Sequence, residues 1–216
     1  MTLALIAMGF YQLCTGFLLA FRAYFLHPAA DMKDHYFTSL PSAFFPASPP
    51  WSSQNNSLPY SLTREWRECL FNKESLTAQL VALGDGDFAV EVLWQGWKRF
   101  SPGECQALGL AQGQYGWIRE VALNVKGKTL VYARTCIPRA TLTGSERYLI
   151  KLGNRSLGSV LFNHPRMSRG KMRALKIKQN GFNNLDIQWA RNSIFYLNHK
   201  PLLVTEAFTR SIPPLK

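Results

Sequence analysis

The stretch from Gln114 to Ile137 leaves the chain little choice of architecture. Two runs rich in β-forming residues, Gln114 to Val125 and Thr129 to Ile137, are separated by three residues, and Val125-Lys126-Gly127-Lys128 reads as a hairpin turn. A connection this short joins antiparallel neighbours; a parallel partner would need a crossover of a dozen residues or more. A second pair of strands, about Ile187 to Leu197 and Leu202 to Phe208, flanks the turn Asn198-His199-Lys200-Pro201. Phe88 to Trp94 adds a further strand pattern after the Gly84-Asp85-Gly86-Asp87 turn. Helical patterns are grouped rather than alternating with strands. Leu62, Trp66, Cys69 and Leu70 recur at helical spacing behind Ser61 or Thr63 as cap, and Ser75 can cap a short helix carrying Leu76, Leu80 and Leu83. Thr143-Gly144-Ser145-Glu146 reads as a capping box, with Gly153 as the stop of its helix. The expected class is α+β, a single domain built on an antiparallel sheet flanked by helices.

Two charged residues interrupt the apolar strand patterns. In Trp117-Ile118-Arg119-Glu120-Val121-Ala122-Leu123, alternation puts Arg119 on the face of Trp117, Val121 and Leu123, and Glu120 on the other, as a cross-strand or surface partner. In Leu202-Leu203-Val204-Thr205-Glu206-Ala207-Phe208, Glu206 shares its face with Leu202, Val204 and Phe208. Both charges therefore face inward, either paired with each other or lining a cavity. As a cavity, the pair suits an anionic ligand: Arg119 clamps a carboxylate through two hydrogen bonds, and Glu206, in an apolar setting that favours its protonated form, supplies a proton.

Charge is distributed unevenly. Residues 1 to 120 hold 8 basic and 10 acidic side chains, whereas residues 121 to 216 hold 17 basic and 3 acidic, giving the chain its net +12. A half this cationic suits nucleic acid, a membrane surface or a small polyanion. The run from Arg166 to Lys178 holds six of those cations, but no recognised nucleic-acid motif accompanies it, so it reads as a solvated, charged edge or loop. Trp94, Trp97 and Trp117 fall at strand spacing and read as core. The four cysteines (Cys14, Cys69, Cys105, Cys136) are scattered without a CxxC pair, which points away from a disulfide framework. His27, His35, His164 and His199 stand apart, so no zinc site is expected. Phosphate-cradling glycine loops and the GxSxG elbow are also missing, and no cofactor is expected.

The N-terminal part reads separately. From Leu3 to Phe21 there are 19 residues without a charge, the length of a membrane-spanning helix. Residues 1–31 are a membrane anchor, a signal segment, or a leader that translation starting at Met32 would omit; the last is preferred. Residues 32–60 form a Pro/Ser-rich arm, with five prolines between Ser39 and Tyr60. Residues 61–216 are the expected folded domain.

Several motifs in that domain carry a family likeness. Trp117-Ile118-Arg119-Glu120-Val121, Ala133-Arg134-Thr135-Cys136-Ile137-Pro138, Leu149-Ile150-Lys151-Leu152-Gly153, Ser156-Leu157-Gly158 and Lys200-Pro201-Leu202-Leu203-Val204-Thr205-Glu206 resemble, in order and spacing, those of bacterial chorismate pyruvate-lyase. The resemblance runs from about Ser61 to Leu215. It implies a sheet and helices enclosing a buried ligand pocket, and release of pyruvate from chorismate to give 4-hydroxybenzoate for ubiquinone biosynthesis, without metal or organic cofactor. By the same resemblance, Arg119 binds ligand, Glu206 is the acid–base group, Leu157 contacts the ligand through its backbone, and Leu76 lies where relatives can carry methionine. The scattered cysteines favour a reducing compartment, and the expected protein is a cytoplasmic monomer acting on small molecules, with no nucleic acid and with a membrane only if the 1–31 leader is translated. The leader has no counterpart in the family, and Gln179 to Asp186 looks inserted.

Two other readings are weighed. The effector-binding domain of GntR-type repressors resembles the lyase fold, so a non-catalytic ligand sensor is the alternative. It should carry a winged helix, where this chain has the apolar leader and the Pro-rich arm. A nucleic-acid binder using the basic half would show salt-sensitive binding to arbitrary duplex DNA.

Overall fold

A computed structural model describes residues 52–53, 62–177 and 186–215; the 1–31 leader, nearly all of the 32–60 arm and positions 179–185 of the apparent insertion lie outside the described residues. The chain order is β1 (Ser52–Ser53), α1 (Arg64–Phe71), α2 (Leu76–Leu83), β2 (Phe88–Arg99), α3 (Pro102–Leu108), β3 (Tyr115–Val125), β4 (Lys128–Pro138), a 3-10 helix (Gly144–Lys151), α4 (Leu157–Phe162), β5 (Met167–Lys176), β6 (Ile187–Leu197) and β7 (Lys200–Thr209). The strands form one sheet in the order β1-β5-β6-β7-β4-β3-β2, every pair antiparallel. The α+β expectation holds, and both expected hairpins are present. Lys126 and Gly127 each take a positive φ in the first turn, as do Asn198 and His199 in the second, which matches turn twist to strand twist.

Period-two alternation divides the core between the two faces of the sheet. On one face, α1 and α2 bury Trp66, Leu70, Leu76 and Leu80 against Val121, Leu123, Val131, Trp189 and Phe208. Each such side chain contributes roughly 1.5–3 kcal/mol by leaving water. Trp66 meets Phe208 edge-on, with ring centroids 6.1 Å apart. The 3-10 helix and α4 extend this face with Leu149, Leu152, Leu157 and Leu161 over Leu197, Leu202 and Val204. On the opposite face, α3 packs Cys105 and Leu108 against Ile118, Cys136, Leu203 and Ala207.

Several local expectations change. Thr63 and Ser75 cap α1 and α2, but Thr143 makes no capping bond and its hydroxyl instead donates to the Ala140 carbonyl. Glu146 turns to Lys200 and Asn198, and the segment winds as a 3-10 helix. α3 is an addition to the expected elements, although Ser101-Pro102-Gly103-Glu104 forms a full capping box with proline in the first turn. Met167–Lys176 is a strand, not a loop. Trp97 is half exposed and packs edge-on against Trp117 at the sheet's β2 edge, so it is not core.

Candidate active site

Six strands contribute side chains to one cavity: Val90 from β2, Arg119 and Val121 from β3, Ala133 and Thr135 from β4, Val204 and Glu206 from β7, Phe195 from β6 and Arg169 from β5. The sheet therefore bends around this space. Helices close it, with Leu76 and Thr77 from α2 and Leu157, Gly158 and Leu161 from α4. About 540 Å³ free of atoms lies between these walls, part of it open to solvent. Glu74 stands at the exposed rim.

Gly158 fits the roof for a steric reason. A Cβ there would come within 2.4 Å of the Thr77 hydroxyl, so α2 and α4 approach this closely only over a glycine. Ser156 caps α4 through the Gly158 amide and also hydrogen-bonds Thr77, tying the two lid helices together.

All four sequence-derived site residues line this cavity: Leu76, Arg119, Leu157 and Glu206. Arg119 and Glu206 do not pair with each other. Arg119 is 2% exposed and uses Nη2 to donate to the carbonyls of Gly153 (2.8 Å) and Arg155 (3.1 Å), in the loop after the 3-10 helix. Its Nε is buried with no hydrogen-bond partner among the described residues. Burial pulls the Arg119 pKa down to about 10. The side chain is thus fixed through Nη2 and lines the cavity with a donor unpaired among the described residues.

Glu206 lies in a cationic setting rather than the apolar one expected. Its Oε2 accepts from Arg191 Nε at 2.6 Å, directly across β6–β7. Arg191 is 1% exposed; its Nη1 donates to the carbonyls of Cys69 (3.1 Å) and Leu70 (3.5 Å), and its Nη2 is a buried donor without a partner among the described residues. Those carbonyls belong to the last turn of α1, where helix geometry leaves acceptors unsatisfied and the dipole is negative.

Arg169 is a further arginine of the cavity, one that strand alternation does not reveal. It donates through Nη1 to the carbonyl of Asn72, the C-cap of α1, at 3.2 Å and through Nη2 to the Ser193 hydroxyl at 3.0 Å. Its guanidinium lies 4.8 Å from the centre of the Phe195 ring, and its Nε is buried and unpartnered among the described residues. Burial lowers its pKa to about 10 against the opposing pull of Glu206. The alternation rule that singles out Arg119 also selects Arg191, in Trp189-Ala190-Arg191-Asn192-Ser193. Arg169 escapes it because the β5–β6 register shifts between Arg169 and Met172 and breaks the period.

Such a cavity can hold an organic acid by its carboxylate and offer a carboxyl group for proton transfer beside it. No helix among the described residues is long and apolar enough to cross a membrane.

Sequence comparison with known proteins agrees with this geometry. "Probable chorismate pyruvate-lyase" of Pseudomonas syringae pv. tomato is 38% identical over 142 residues, covering 64% of this chain and 76% of that one. The protein of the same name from Pseudomonas aeruginosa strain UCBPP-PA14 is 38% identical over 146 residues, covering 66% and 82%. Among solved structures, PhnF from Mycobacterium smegmatis is similar over 65% of each chain, with 12% identity and a TM-score of 0.46. The sequence model of the chorismate lyase family matches residues 51–215, so the chain belongs to the chorismate lyase family.

Proposed function

We propose that this chain is a chorismate pyruvate-lyase, converting chorismate to 4-hydroxybenzoate and pyruvate in the route to ubiquinone. The observation that carries the reading is the meeting of Arg119 and Glu206 in one cavity of a chorismate lyase family member. The catalytic domain is residues 61–216.

In the reaction the ether bond between ring carbon and enolpyruvyl oxygen breaks, and its electron pair leaves with the oxygen. The neighbouring ring carbon, which bears the hydroxyl, loses its hydrogen as a proton, and the ring becomes aromatic. The enolpyruvyl methylene gains one proton and becomes the methyl of pyruvate, so no proton is consumed overall. Aromatisation supplies the driving force and no cofactor is required. Arg119, anchored by two backbone carbonyls, holds the ring carboxylate. Glu206, held through Oε2 by Arg191, takes the ring proton and returns it to the departing enolpyruvyl group. Leu76 packs on the ring from α2, the Leu157 backbone contacts the ligand, and α2 and α4 shield the reacting atoms from bulk water. The cationic C-terminal half steers the dianion toward the cavity. The chain acts as a monomer on a small cytoplasmic metabolite, not on nucleic acid.

The test is incubation of the purified protein with chorismate. Release of 4-hydroxybenzoate and pyruvate in equal amounts, abolished in Glu206→Gln, is expected. No release by folded wild-type protein would overturn the reading.

A further inference from the structure

The charge count inside the cavity does not close. Among the described residues, two guanidinium groups, those of Arg119 and Arg169, line the cavity with one interior carboxylate, Glu206, whose charge the buried Arg191 already engages at 2.6 Å. Among the described residues neither Arg119 nor Arg169 forms an ion pair with a carboxylate. The rim residue Glu74 is solvent-exposed and screened. Buried polar groups ordinarily find partners, and each exception needs an explanation. Of the five buried side-chain atoms left without one among the described residues, three are guanidinium nitrogens of these arginines. An interior carrying two cations beyond its own carboxylate is built for a ligand with two negative charges.

The two uncompensated arginines stand apart. Arg119 is on β3 and Arg169 on β5, with β4, β7 and β6 between them in the sheet. Arg169 feels the charges of Glu206 and Arg191, whereas the Arg119 pKa responds to burial alone. Glu206 is on β7, the middle one of those three strands, and Arg169 approaches from the far side through Ser193, which pairs with Val204 two residues from Glu206. A carboxylate on Arg119 leaves the rest of the ligand to run past Glu206 toward Arg169. Arg169 has donors to spare for it. A guanidinium has five N–H donors, two are spent on Asn72 and Ser193, and Phe195 supports its plane.

We propose that Arg169 is the second carboxylate anchor, holding the side-chain carboxylate of the substrate while Arg119 holds the ring carboxylate. The inference rests on the lyase reading above. It makes Arg169 the residue that tells substrate from product: chorismate carries two carboxylates and 4-hydroxybenzoate one. When the bond to pyruvate breaks, the ring keeps its hold on Arg119 and loses its link to Arg169.

The experiment separates the two ligands. Chorismate KM and kcat and the Kd of 4-hydroxybenzoate, by titration calorimetry, are measured for wild type, Arg169→Met, Arg169→Lys and Arg119→Met. Binding of 3-(carboxymethoxy)-4-hydroxybenzoate, which restores a second carboxylate without reacting, is measured alongside. In Arg169→Met, chorismate KM is expected to rise roughly tenfold or more, as for loss of a charge-assisted pair. The 4-hydroxybenzoate Kd should change less than about threefold, and the dicarboxylate should lose its advantage over 4-hydroxybenzoate. Arg169→Lys should recover part of the loss, and Arg119→Met should weaken both ligands. An unchanged chorismate KM, or a parallel loss of 4-hydroxybenzoate binding, overturns the proposal. If Arg169→Met does not fold, Ser193→Ala removes the hydroxyl that orients Arg169, and the same split on a smaller scale decides. Absence of turnover in wild type would sink the lyase reading itself; turnover without the split sinks only the role of Arg169.

Discussion

Arg119 and Glu120 are neighbours in β3, yet they enter two buried charge clusters of opposite character, one on each face of the sheet. Behind the sheet, Arg134 lies across from Glu120 and pairs with it, and also with Glu104 at 2.8 Å. Glu104 is fully buried, accepts from the Ser101 amide at 2.7 Å within the α3 capping box, and accepts from the Cys136 thiol at 3.1 Å. Burial pulls the Arg134 pKa down, but Cys136, Glu104 and Glu120 outweigh it and the net is upward. In front, the Arg119 pKa falls to about 10 because burial acts with no carboxylate to oppose it. The rear cluster satisfies its cation internally and fastens α3 to the sheet. The front cluster leaves cations unsatisfied and surrounds a cavity with them. Equal burial therefore serves structure on one face and ligand binding on the other, and the deciding quantity is the local charge balance.

Four experiments test that contrast. The largest effect should come from Glu206→Gln, which lowers turnover per folded molecule by roughly 100-fold or more through loss of the proton carrier, beside a loss of stability from stripping Arg191 of its carboxylate; chorismate turnover assays read it directly. Next, Glu104→Gln should cost about 3–5 kcal/mol of stability by stripping Arg134 of its main partner, with little change in turnover per folded molecule; urea titration checks this. Equal damage to activity would mean that the rear cluster is not merely structural. Third, Arg119→Met should weaken 4-hydroxybenzoate roughly tenfold while leaving the melting temperature unchanged or higher, because it removes a buried charge that has no protein carboxylate. A large fall in melting temperature would erase the distinction between the faces.

The smallest effect belongs to an intermediate case. Lys200, partly exposed, hydrogen-bonds Glu146 and holds its pKa at about 2, below the ordinary 4.5. The stabilisation this gives is fully present above about pH 4.5 and is lost as pH falls toward 2. In Lys200→Met the acid-unfolding midpoint should therefore move to higher pH; no movement would place the pair among contacts that contribute nothing measurable.

Much of this is legible in the sequence where a single rule applies cleanly. Alternation exposes Arg119 and Glu206 because each sits among apolar residues on a regular strand, and the turn chemistry of Lys126-Gly127 fixes the central hairpin. Who partners whom is not legible. Arg191 and Glu206 meet across two strands joined by a turn, and nothing local to either residue shows that Arg191, not Arg119, takes the carboxylate. Arg169 sits in a run of six cations and beside a register shift, so composition suggests a solvated surface where tertiary structure turns one cation inward. α3 is a different case: its capping box stands in plain view at Ser101-Pro102-Gly103-Glu104, but a helix of seven residues is too short to show a hydrophobic period.

The adjacency of Arg119 and Glu120 also bears on how the sheet assembles. A slip of one residue in the pairing of β3 would reverse both side chains. Arg119 would then be delivered to the rear, against Arg134, and Glu120 would enter the front space near Glu206. At the rear, Arg134 would exchange the carboxylate of Glu120 for the like charge of Arg119 in a low-dielectric interior, and the front would lose one of its two unpaired guanidinium groups. Apolar residues alone discriminate weakly here, since β3 is buried on both faces from Ile118 to Leu123 and offers nonpolar side chains to either side. The two charges thus act as a key that admits one register, and a chain that has zipped β3 correctly has, in the same step, sorted its ligand-seeking charge from its structural one.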